Sequence, residues 1–410
     1  MQLTVDSGQL PVGWEVKKLA EVCQIEKSQG IYTNLPYIGM ENIESNTSRF
    51  IGSTEPQSVK SSTFKFSSNH VLYGRLRPYL NKVLAPDFLG HCSTEIFPIK
   101  PSECLNRNFL LYWLLMDLTV KRINATCTGA RMPRANMNSV FEFDFPLPPL
   151  PEQKRIVAIL DEAFEGIDRA IANTEKNLAN SRELFESYLN AIFTQKNNRW
   201  EWVSLSEITT DITDGDHQPP PKSQSGIPFI TISNIDKQNR RVDFSNTFKV
   251  SPEYFEKLKS NRKPRKGDLL YTVTGSYGIP VIVDHDIDFC FQRHIGLIRP
   301  NAETNSKCLY YILLSRYLLT QADECATGTA QKTVSLNGLR RFSVPKIPKE
   351  QQEIIVTELD ALSEKIGRLE SIYRQKIAAL NELKQSILQK AFTGELTADT
   401  PKAAKERIAA

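Results

Sequence analysis

The feature that most restricts the fold of this chain is an internal duplication, in which residues recur just under 200 positions later. Trp14-Glu15 recurs as Trp200-Glu201, and Phe193-Thr194 recurs as Phe392-Thr393. The spacing between matching residues grows from 186 to 199 along the first copy and then stays constant. Loops of different length around a shared core produce this pattern, so the 410 residues are predicted to form two copies of one structure.

Each copy is predicted to contain a mixed globular part followed by one long helix. Short apolar runs bounded by Gly, Pro, Asn and Ser indicate strands at 37–40, 70–73 and 269–273. Residues 107–121 and 306–322 have helical spacing with apolar faces. The predicted fold class is therefore α+β, with two tandem-repeat globular α+β domains separated by two long α-helices.

The long helices are predicted from two proline-free segments, residues 152–194 and 350–393. Their apolar positions follow a heptad pattern that is interrupted by one extra step of four residues, a stutter. The inward positions of the first helix are 156, 160, 163, 167, 170, 174, 178, 181, 185, 188 and 192, and those of the second lie 199 residues later. Because an isolated helix would leave its apolar face in water, the two are predicted to pack as an antiparallel coiled coil. Oligomerisation through the same faces is the alternative.

The charge changes at the same boundaries. Residues 1–151 carry a net charge of +2 and residues 195–349 carry +6, whereas residues 152–194 carry −3 and residues 350–393 carry −1. These segments are the predicted domains: a first globular domain, a first spacer helix, a second globular domain and a second spacer helix, followed by a C-terminal tail at 394–410. Basic globular parts favour contact with a polyanion, although many enzymes have a similar charge.

The sequence lacks the motifs of common enzymes. It contains no G-x-G-x-x-G, no phosphate-binding loop, no paired Cys/His spacing for zinc and no nucleophile elbow. We therefore predict a non-catalytic chain with no catalytic residues, no cofactor and no metal, and an enzyme with an unrecognised site is one rival. Seven scattered cysteines without a C-x-x-C pair, together with the absence of a membrane span and of a signal peptide, predict a cytoplasmic protein.

Polar loops differ between the two copies while the surrounding scaffold repeats, as expected for domains that recognise two different short DNA sequences. Arginine can contact guanine with two hydrogen bonds and asparagine can contact adenine, whereas lysine mostly meets phosphate. The predicted DNA-binding residues of the first copy are Arg75, Arg77, Tyr79, Asn81, Lys82, Arg131, Arg134 and Asn136. Those of the second copy are His217, Lys263, Arg265, Thr274, Ser276, Tyr277, Arg293, His294, Gln331 and Lys332. A solvated loop is the alternative for each of them, and pairing of Arg75 and Arg77 with Glu95 is an equal alternative.

Several motifs resemble those of the specificity (S) subunit of type I restriction-modification systems, over essentially the whole chain. The opening Leu10-Pro11-Val12-Gly13-Trp14 is similar to the family's start, and Asp214-Gly215-Asp216-His217 is similar to its Asp-Gly-Thr-His, with Asp216 in place of threonine. Residues 149–156 and 347–354 resemble the beginnings of the family's two shared helices, and residues 391–396 resemble their usual end.

The resemblance implies two target-recognition domains that read the two halves of a gapped double-stranded DNA sequence. It also implies that two modification (methyltransferase) subunits dock on the helices, that restriction subunits can add translocation and cleavage, and that no membrane is involved. The chain itself would be a non-catalytic specificity subunit. The main alternative is a structural coiled-coil spacer protein with two globular heads and no sequence-specific DNA binding.

Overall fold

The computed structural model describes residues 10–194, 200–218, 220–329 and 331–398. The first residues of both predicted globular domains (1–9 and 195–199) and most of the predicted tail (399–410) lie outside this range. The chain divides into two compact units. Unit 1 comprises Met1–Glu175 with Gln375–Ala410, and unit 2 comprises Lys176–Arg374.

In unit 1 most strands come before the last three helices of the globular part, and a last strand precedes the long helix. Its strands are β1 (Glu15–Lys18), β2 (Cys23–Ile25), β3 (Ser28–Gly30), β4 (Tyr37–Ile38), β5 (Thr63–Phe66), β6 (Val71–Gly74), β7 (Val83–Leu84), β8 (Gly90–Cys92), β9 (Ile96–Pro101) and β10 (Asp144–Leu147). Its helices are α1 (Leu19–Val22), α2 (Arg107–Leu115), α3 (Asp117–Ala125), α4 (Met137–Phe141) and the first part of α5 (Leu150–Thr194).

Unit 2 repeats this order with insertions. Its strands are β11 (Glu201–Ser204), β12 (Thr209–Asp214), β13 (Ile227–Ile230), β14 (Ile235–Asp236), β15 (Arg241–Val242), β16 (Phe248–Val250), β17 (Leu269–Thr272), β18 (Pro280–Ile282), β19 (Cys290–Phe291), β20 (Ile295–Pro300) and β21 (Ser343–Lys346). Its helices are α6 (Pro252–Lys257), α7 (Ser306–Leu314), α8 (Arg316–Cys325), α9 (Leu336–Arg340) and the first part of α10 (Lys349–Thr393).

One sheet and two strand pairs correspond between the two units. Each unit has a four-stranded antiparallel sheet, with the order β2-β9-β6-β7 in unit 1 and β12-β20-β17-β18 in unit 2. Each also has a parallel pair, β4 with β8 and β13 with β19. The first strand of each copy pairs with the strand before its long helix, β1 with β10 and β11 with β21. The predicted α+β fold of two tandem copies is confirmed.

The two segments with helical spacing in the globular parts each form two helices. The chain is extended at Met116 (φ −71°, ψ 127°) and at Ser315 (φ −65°, ψ 147°), and these residues end α2 and α7. Most of α2 is buried, from Phe109 to Leu115, so its apolar residues surround the helix rather than marking one face. The apolar spacing continues through the break, and for this reason the sequence predicts a single helical stretch at 107–121.

Side chains from the long helices accept hydrogen bonds from the first N–H group of the helix that follows each break. The Asp117 N–H at the start of α3 donates to Gln385 Oε1 of α10 at 2.7 Å. The Arg316 N–H at the start of α8 donates to Asn190 Oδ1 of α5 at 2.8 Å. The first N–H groups of a helix have no partner within it, so these bonds stabilise the breaks. The partners lie 268 and 126 residues away along the chain, where local periodicity carries no information.

A buried glutamine fixes the start of each long helix. Gln153 is fully buried. Its amide nitrogen donates to the carbonyls of Cys104 and Pro148, both at 2.8 Å, and its oxygen accepts from the Asn106 N–H at 2.7 Å. Gln352 makes the same three bonds in unit 2, at 2.6–2.9 Å. The glutamine in the first turn of each long helix therefore joins the helix start to the loop before α2 or α7.

The C-terminal end of α10 packs in unit 1 against the first copy. Leu388 and Phe392 lie in the same buried cluster as Ile156 and Leu160 of α5. The Phe392 ring lies 4.7 Å from the ring of Phe109, centroid to centroid. The two helices therefore run in opposite directions in unit 1, with the end of α10 beside the beginning of α5.

Unit 2 has the matching arrangement. Leu189 and Phe193 at the end of α5 lie in one buried cluster with Ile355 and Leu359 near the beginning of α10. Along α5, the partner on α10 changes from Glu370 for Arg182 to Glu358 for Tyr188, so the residue numbers run in opposite directions. The predicted antiparallel coiled coil is confirmed.

Most predicted inward positions of the long helices are buried or half-buried. The exceptions are Tyr188, which is 41% exposed, and Leu369, which is 38% exposed. Near the end of α5 the buried face moves to Leu189 and Phe193, because these residues enter the core of the second copy.

Polar residues within the coiled coil are satisfied locally. Thr174 and Ser181 donate their hydroxyl hydrogens to carbonyls four residues earlier, at 2.7 and 2.8 Å. Lys384 forms an ion pair with Asp168, and its ammonium lies 5.0 Å from the ring centre of Phe164. These groups therefore fit the interface without an unpaired buried charge.

We expect Gln153→Ala and Gln352→Ala each to lower the free energy of unfolding by about 2–4 kcal/mol, because each leaves a buried N–H and two carbonyls unpaired. Chemical denaturation of the full chain measures this change. Gln389→Ala is the matched control, because Gln389 lies exposed on α10. Equal stability of the Gln153 and Gln389 variants would contradict the role assigned to the buried amide.

Candidate nucleic-acid interface

Three loops of unit 1 meet at the end of β6. The Arg75 N–H donates to the Glu95 carbonyl at 2.9 Å, and the Ala135 N–H donates to the Arg75 carbonyl at 2.9 Å. The Arg77 N–H donates to the carbonyl of Pro133 at 2.7 Å. These backbone bonds bring together the two polar segments that the sequence predicts for the first copy, with the loop before β9 beside them.

Unit 2 makes the same bonds at matching positions. The Val273 N–H donates to the His294 carbonyl at 2.9 Å, and the Val334 N–H donates to the Val273 carbonyl at 2.8 Å. The Gly275 N–H donates to the carbonyl of Lys332 at 3.0 Å. Both copies therefore hold three loops in one backbone framework and place different side chains on it.

In unit 1 a carboxylate connects two of the predicted arginines. Glu95 accepts a bond from Arg75 Nε at 3.0 Å. It also accepts bonds from Arg134 Nε at 3.0 Å and from Arg134 Nη2 at 2.8 Å. The hydrogen bonds from Arg134 and the charge of Arg75 hold the pKa of the Glu95 carboxyl below its usual value, despite partial burial. Of the two alternatives for Arg75 and Arg77, pairing with Glu95 therefore applies to Arg75.

The loop after Arg75 presents its side chains outwards. Arg77 (φ 51°) and Asn81 (φ 41°) adopt left-handed backbone conformations on either side of a short 3₁₀ turn at Pro78–Leu80. Arg77, Tyr79 and Arg131 are exposed, and Tyr79 is 52% exposed despite its aromatic ring. Within the described part of the chain, neither Arg77 nor Arg131 forms an ion pair.

Three other predicted residues of unit 1 support the loops through hydrogen bonds or burial. Asn81 is only 2% exposed. The Lys82 ammonium donates to the carbonyls of Met40 (2.6 Å) and Ile43 (2.9 Å). Asn136 is exposed, and its side chain accepts a bond from the first turn of α4. Asn81 is therefore turned away from solvent, and two of the hydrogens of Lys82 are used within the fold.

In unit 2 the framework borders an open cavity of about 510 Å³. The Lys237 ammonium reaches into this region from the segment after β14 and donates to Ser276 Oγ at 2.7 Å. The loop residues that line the cavity are Thr274, Gly275, Ser276, Gln292, His294 and Gln331. Lys237 is not among the residues predicted from the sequence. The cluster of cations at 237–241 is the signal that identifies it.

His294 is a neutral group in this cavity. Partial burial and the neighbouring charge of Arg293 both lower the pKa of the His294 imidazole from its usual value. At pH 7 the ring therefore offers one hydrogen-bond donor and one acceptor. Arg293 itself is exposed, as are Arg265 and Lys332, and none of the three forms an ion pair in the described part of unit 2.

The Asp214–His217 motif is bound to the same loops. The Asp216 N–H donates to the Phe291 carbonyl at 2.9 Å. Asp214 pairs with His217 Nε2 at 2.8 Å and with Arg262 at 3.1 Å. The side chain of His217 is 61% exposed. The aspartate that replaces the family's threonine, Asp216, lies 3.9 Å from an Arg262 nitrogen, so it joins the same charged cluster.

Two predicted residues of unit 2 are turned towards the fold. Lys263 lies 4.7 Å from the ring centre of Phe255 and pairs with Glu256 at 3.3 Å. The Tyr277 hydroxyl donates to Asp323 of α8 at 2.7 Å, and this bond raises the pKa of Tyr277. Both side chains therefore have partners within unit 2.

The described residues contain no group of three or more His, Cys, Asp or Glu side chains that could hold a metal ion. In the same part of the chain, none of the helices combines the length and apolar character needed to cross a membrane.

A model of the family described as the type I restriction modification DNA specificity domain matches residues 11–179 and again 197–379. The chain therefore belongs to the type I restriction-modification DNA specificity family, with one match per copy.

Among relatives, the chain is 28% identical over 302 residues to the type I restriction enzyme EcoBI specificity subunit of Escherichia coli, covering 67% of this chain and 63% of that one. It is 28% identical over 189 residues to the EcoDI specificity subunit of the same species, covering 45% and 42%. The match thus spans less than two thirds of either relative. It is 23% identical over 434 residues to the EcoKI specificity subunit of strain K12, covering 96% and 91%.

Two solved structures share the fold. One, described as "Structural basis underlying complex assembly and conformational transition of the type I R-M system", aligns with a TM-score of 0.77 at 23% identity, covering 94% of this chain and 99% of that one. The HsdS subunit from Thermoanaerobacter tengcongensis aligns with a TM-score of 0.55 at 23% identity, covering 94% and 98%.

We expect Gly215→Ala to destabilise unit 2 by about 2 kcal/mol or more, because the added methyl group would overlap the backbone of a neighbouring segment and force it to move. A Cβ atom at Gly215 would lie 1.9 Å from the Phe291 carbonyl oxygen. Thermal unfolding of the full chain measures the change. Gly166→Ala on α5 is the control: a Cβ there meets nothing within 4 Å, and alanine should stabilise the helix by about 0.5–1 kcal/mol. If the Gly215→Ala variant had the same melting temperature as the wild-type chain, the close approach of Gly215 to Phe291 would not be needed for stability.

Proposed function

We propose that this chain is the DNA-reading subunit of a type I restriction-modification complex and that each copy reads one half of a gapped double-stranded DNA target. The observation that carries the proposal is the pair of matching three-loop frameworks with different side chains. The same backbone hydrogen bonds occur in both copies, whereas the side chains on the loops differ. Such an arrangement is suited to the recognition of two different short sequences.

The charge of the loops supports contact with DNA. Arg77 and Arg131 in the first copy, and Arg265, Arg293 and Lys332 in the second, are exposed and form no ion pair among the described residues. Free cations at a surface can meet phosphates and release counterions, which makes binding weaken as salt rises. Residues with partners in the fold, such as Lys82 and Lys263, would instead position the loops.

The long helices are proposed to bind two modification (methyltransferase) subunits, and restriction subunits where the complex has them. Several large apolar side chains on the helices are more than a third exposed, and Leu184, Ile354 and Ile372 are more than half exposed. Exposed apolar side chains leave water when another protein covers them, so they favour a docking role for the helices. The methyl-transfer chemistry, and with it any cofactor, would belong to these partners. A cytoplasmic location is part of the same proposal.

We further propose that the coiled coil sets the gap between the two half-sites. Deleting residues 175–178 from α5 and 374–377 from α10 removes the stutter from both helices and leaves a continuous heptad pattern. The deletion should shorten the gap by about two base pairs, because four helical residues span about 6 Å and a base pair about 3.4 Å.

Mapping methylated adenines in a host that carries the shortened chain with its modification partner measures the gap. The length-matched control replaces the same residues with alanine, and it should keep the original gap. An unchanged gap in the deletion variant would contradict the spacer role.

Exchange of residues 1–151 for the first domain of another specificity subunit should change one half-site and leave the other unchanged. The exchanged domain must keep an aromatic residue at Phe109, because its ring packs against the ring of Phe392 of α10. The methylated sequences of the hybrid measure the outcome. A change in both half-sites would contradict independent reading by the two copies.

A further inference from the structure

Arg75, one of the predicted DNA-binding residues of unit 1, is held through Nε, while its two terminal nitrogens are left without a partner among the described residues. Arg75 Nε donates to Glu95 at 3.0 Å, and its guanidinium lies 4.8 Å from the ring centre of Phe97. The two terminal nitrogens, Nη1 and Nη2, have no hydrogen-bond partner among the described residues. The side chain is 32% exposed, so these nitrogens have access to the surface.

The second arginine of the cluster has a different role. Arg134 uses Nε and Nη2 on Glu95, and its Nη1 lies 3.4 Å from the Met132 carbonyl. All three of its nitrogens are therefore engaged within the fold. Arg134 holds the carboxylate from one side, and the carboxylate in turn orients Arg75.

We propose that Arg75 reads a guanine in the half-site of the first copy through Nη1 and Nη2, with Glu95 as the residue that positions it. The inference rests on the proposed function. Guanine presents two acceptors, O6 and N7, to the major groove, and a planar arginine fork matches this pair. A phosphate contact requires only a mobile positive charge, whereas Arg75 is held in place by a charged partner and an aromatic ring.

The second copy lacks this arrangement. The positions that match Arg75, Glu95 and Arg134 in the framework hold Val273, His294 and Thr333. Val273 is 3% exposed and has no polar side-chain atom. This arrangement of Arg75, Glu95 and Arg134 can therefore read guanine only in the half-site of the first copy.

The experiment uses the full chain assembled with its modification subunit. Methylation mapping supplies the target, and the domain exchange described above identifies the half-site of the first copy. Affinity is then measured for a duplex with that target and for duplexes in which each guanine of that half-site is replaced by 7-deazaguanine. This base keeps pairing and O6 but lacks the N7 acceptor.

We expect 7-deazaguanine at one position to weaken binding of the wild-type chain, and loss of the full two-bond contact to cost about tenfold to a hundredfold in affinity. Arg75→Ala should bind the natural duplex more weakly and should not distinguish guanine from 7-deazaguanine at that position. Glu95→Gln should reduce the same discrimination while leaving the salt dependence of binding unchanged, because it removes no cation. Arg341→Ala, which changes an exposed arginine just after α9, is the control and should keep the wild-type discrimination.

Several results would overturn the inference. The first is a half-site of the first copy that contains no guanine. The second is a wild-type affinity that is the same for the natural duplex and for every 7-deazaguanine duplex. The third is an Arg75→Ala variant that still distinguishes guanine from 7-deazaguanine. A loss of affinity in Arg75→Ala that is equal on target and random DNA would also overturn it, because that loss indicates a phosphate contact. If the wild-type complex bound target and random DNA equally, the proposed function itself would fail. Thermal unfolding of Glu95→Gln shows whether its effect arises from lost structure.

Discussion

The core of each copy is completed by the end of the long helix that belongs to the other copy. Leu388 and Phe392 of α10 are buried with the first copy, and Leu189 and Phe193 of α5 are buried with the second. Burial of one large apolar side chain contributes about 1.5–3 kcal/mol, so each pair provides a considerable part of the stability of its unit. The antiparallel course of the helices follows from this exchange. The buried glutamines and the side chains that cap α3 and α8 act at the same two junctions.

On this scaffold, specificity is separated from stability. Backbone hydrogen bonds hold the three loops of each copy, so their side chains can change without loss of the loop positions. The first copy uses this freedom for a charged cluster around Glu95, and the second uses it for a cavity lined by Gln292, His294 and Gln331. Polar and charged groups can therefore differ between the copies at little cost to the core.

Periodic features of the fold were predictable from the sequence. The hydrogen bonds and ion pairs between residues far apart along the chain were not. The duplication and the long helices follow from repeated apolar spacing, and the structure has both. The breaks at Met116 and Ser315 were not predictable, because their caps come from Gln385 and Asn190 far along the chain. For the same reason sequence alone left open whether Arg75 pairs with Glu95. It also did not reveal the burial of Asn81, which depends on the surrounding fold rather than on residue type.

The contact between Gly394 and Pro11 has a consequence for how such a protein can be encoded. Gly394 follows α10 with a φ of 81°. A Cβ atom there would lie 2.2 Å from the Cγ atom of Pro11, which precedes β1. The segment after the second long helix thus lies against the segment that leads into the first copy. A short linker at this point would close the chain into a ring. Reopening the ring between α5 and β11 would then give a circular permutant with the order of the copies reversed and the same contacts within each unit.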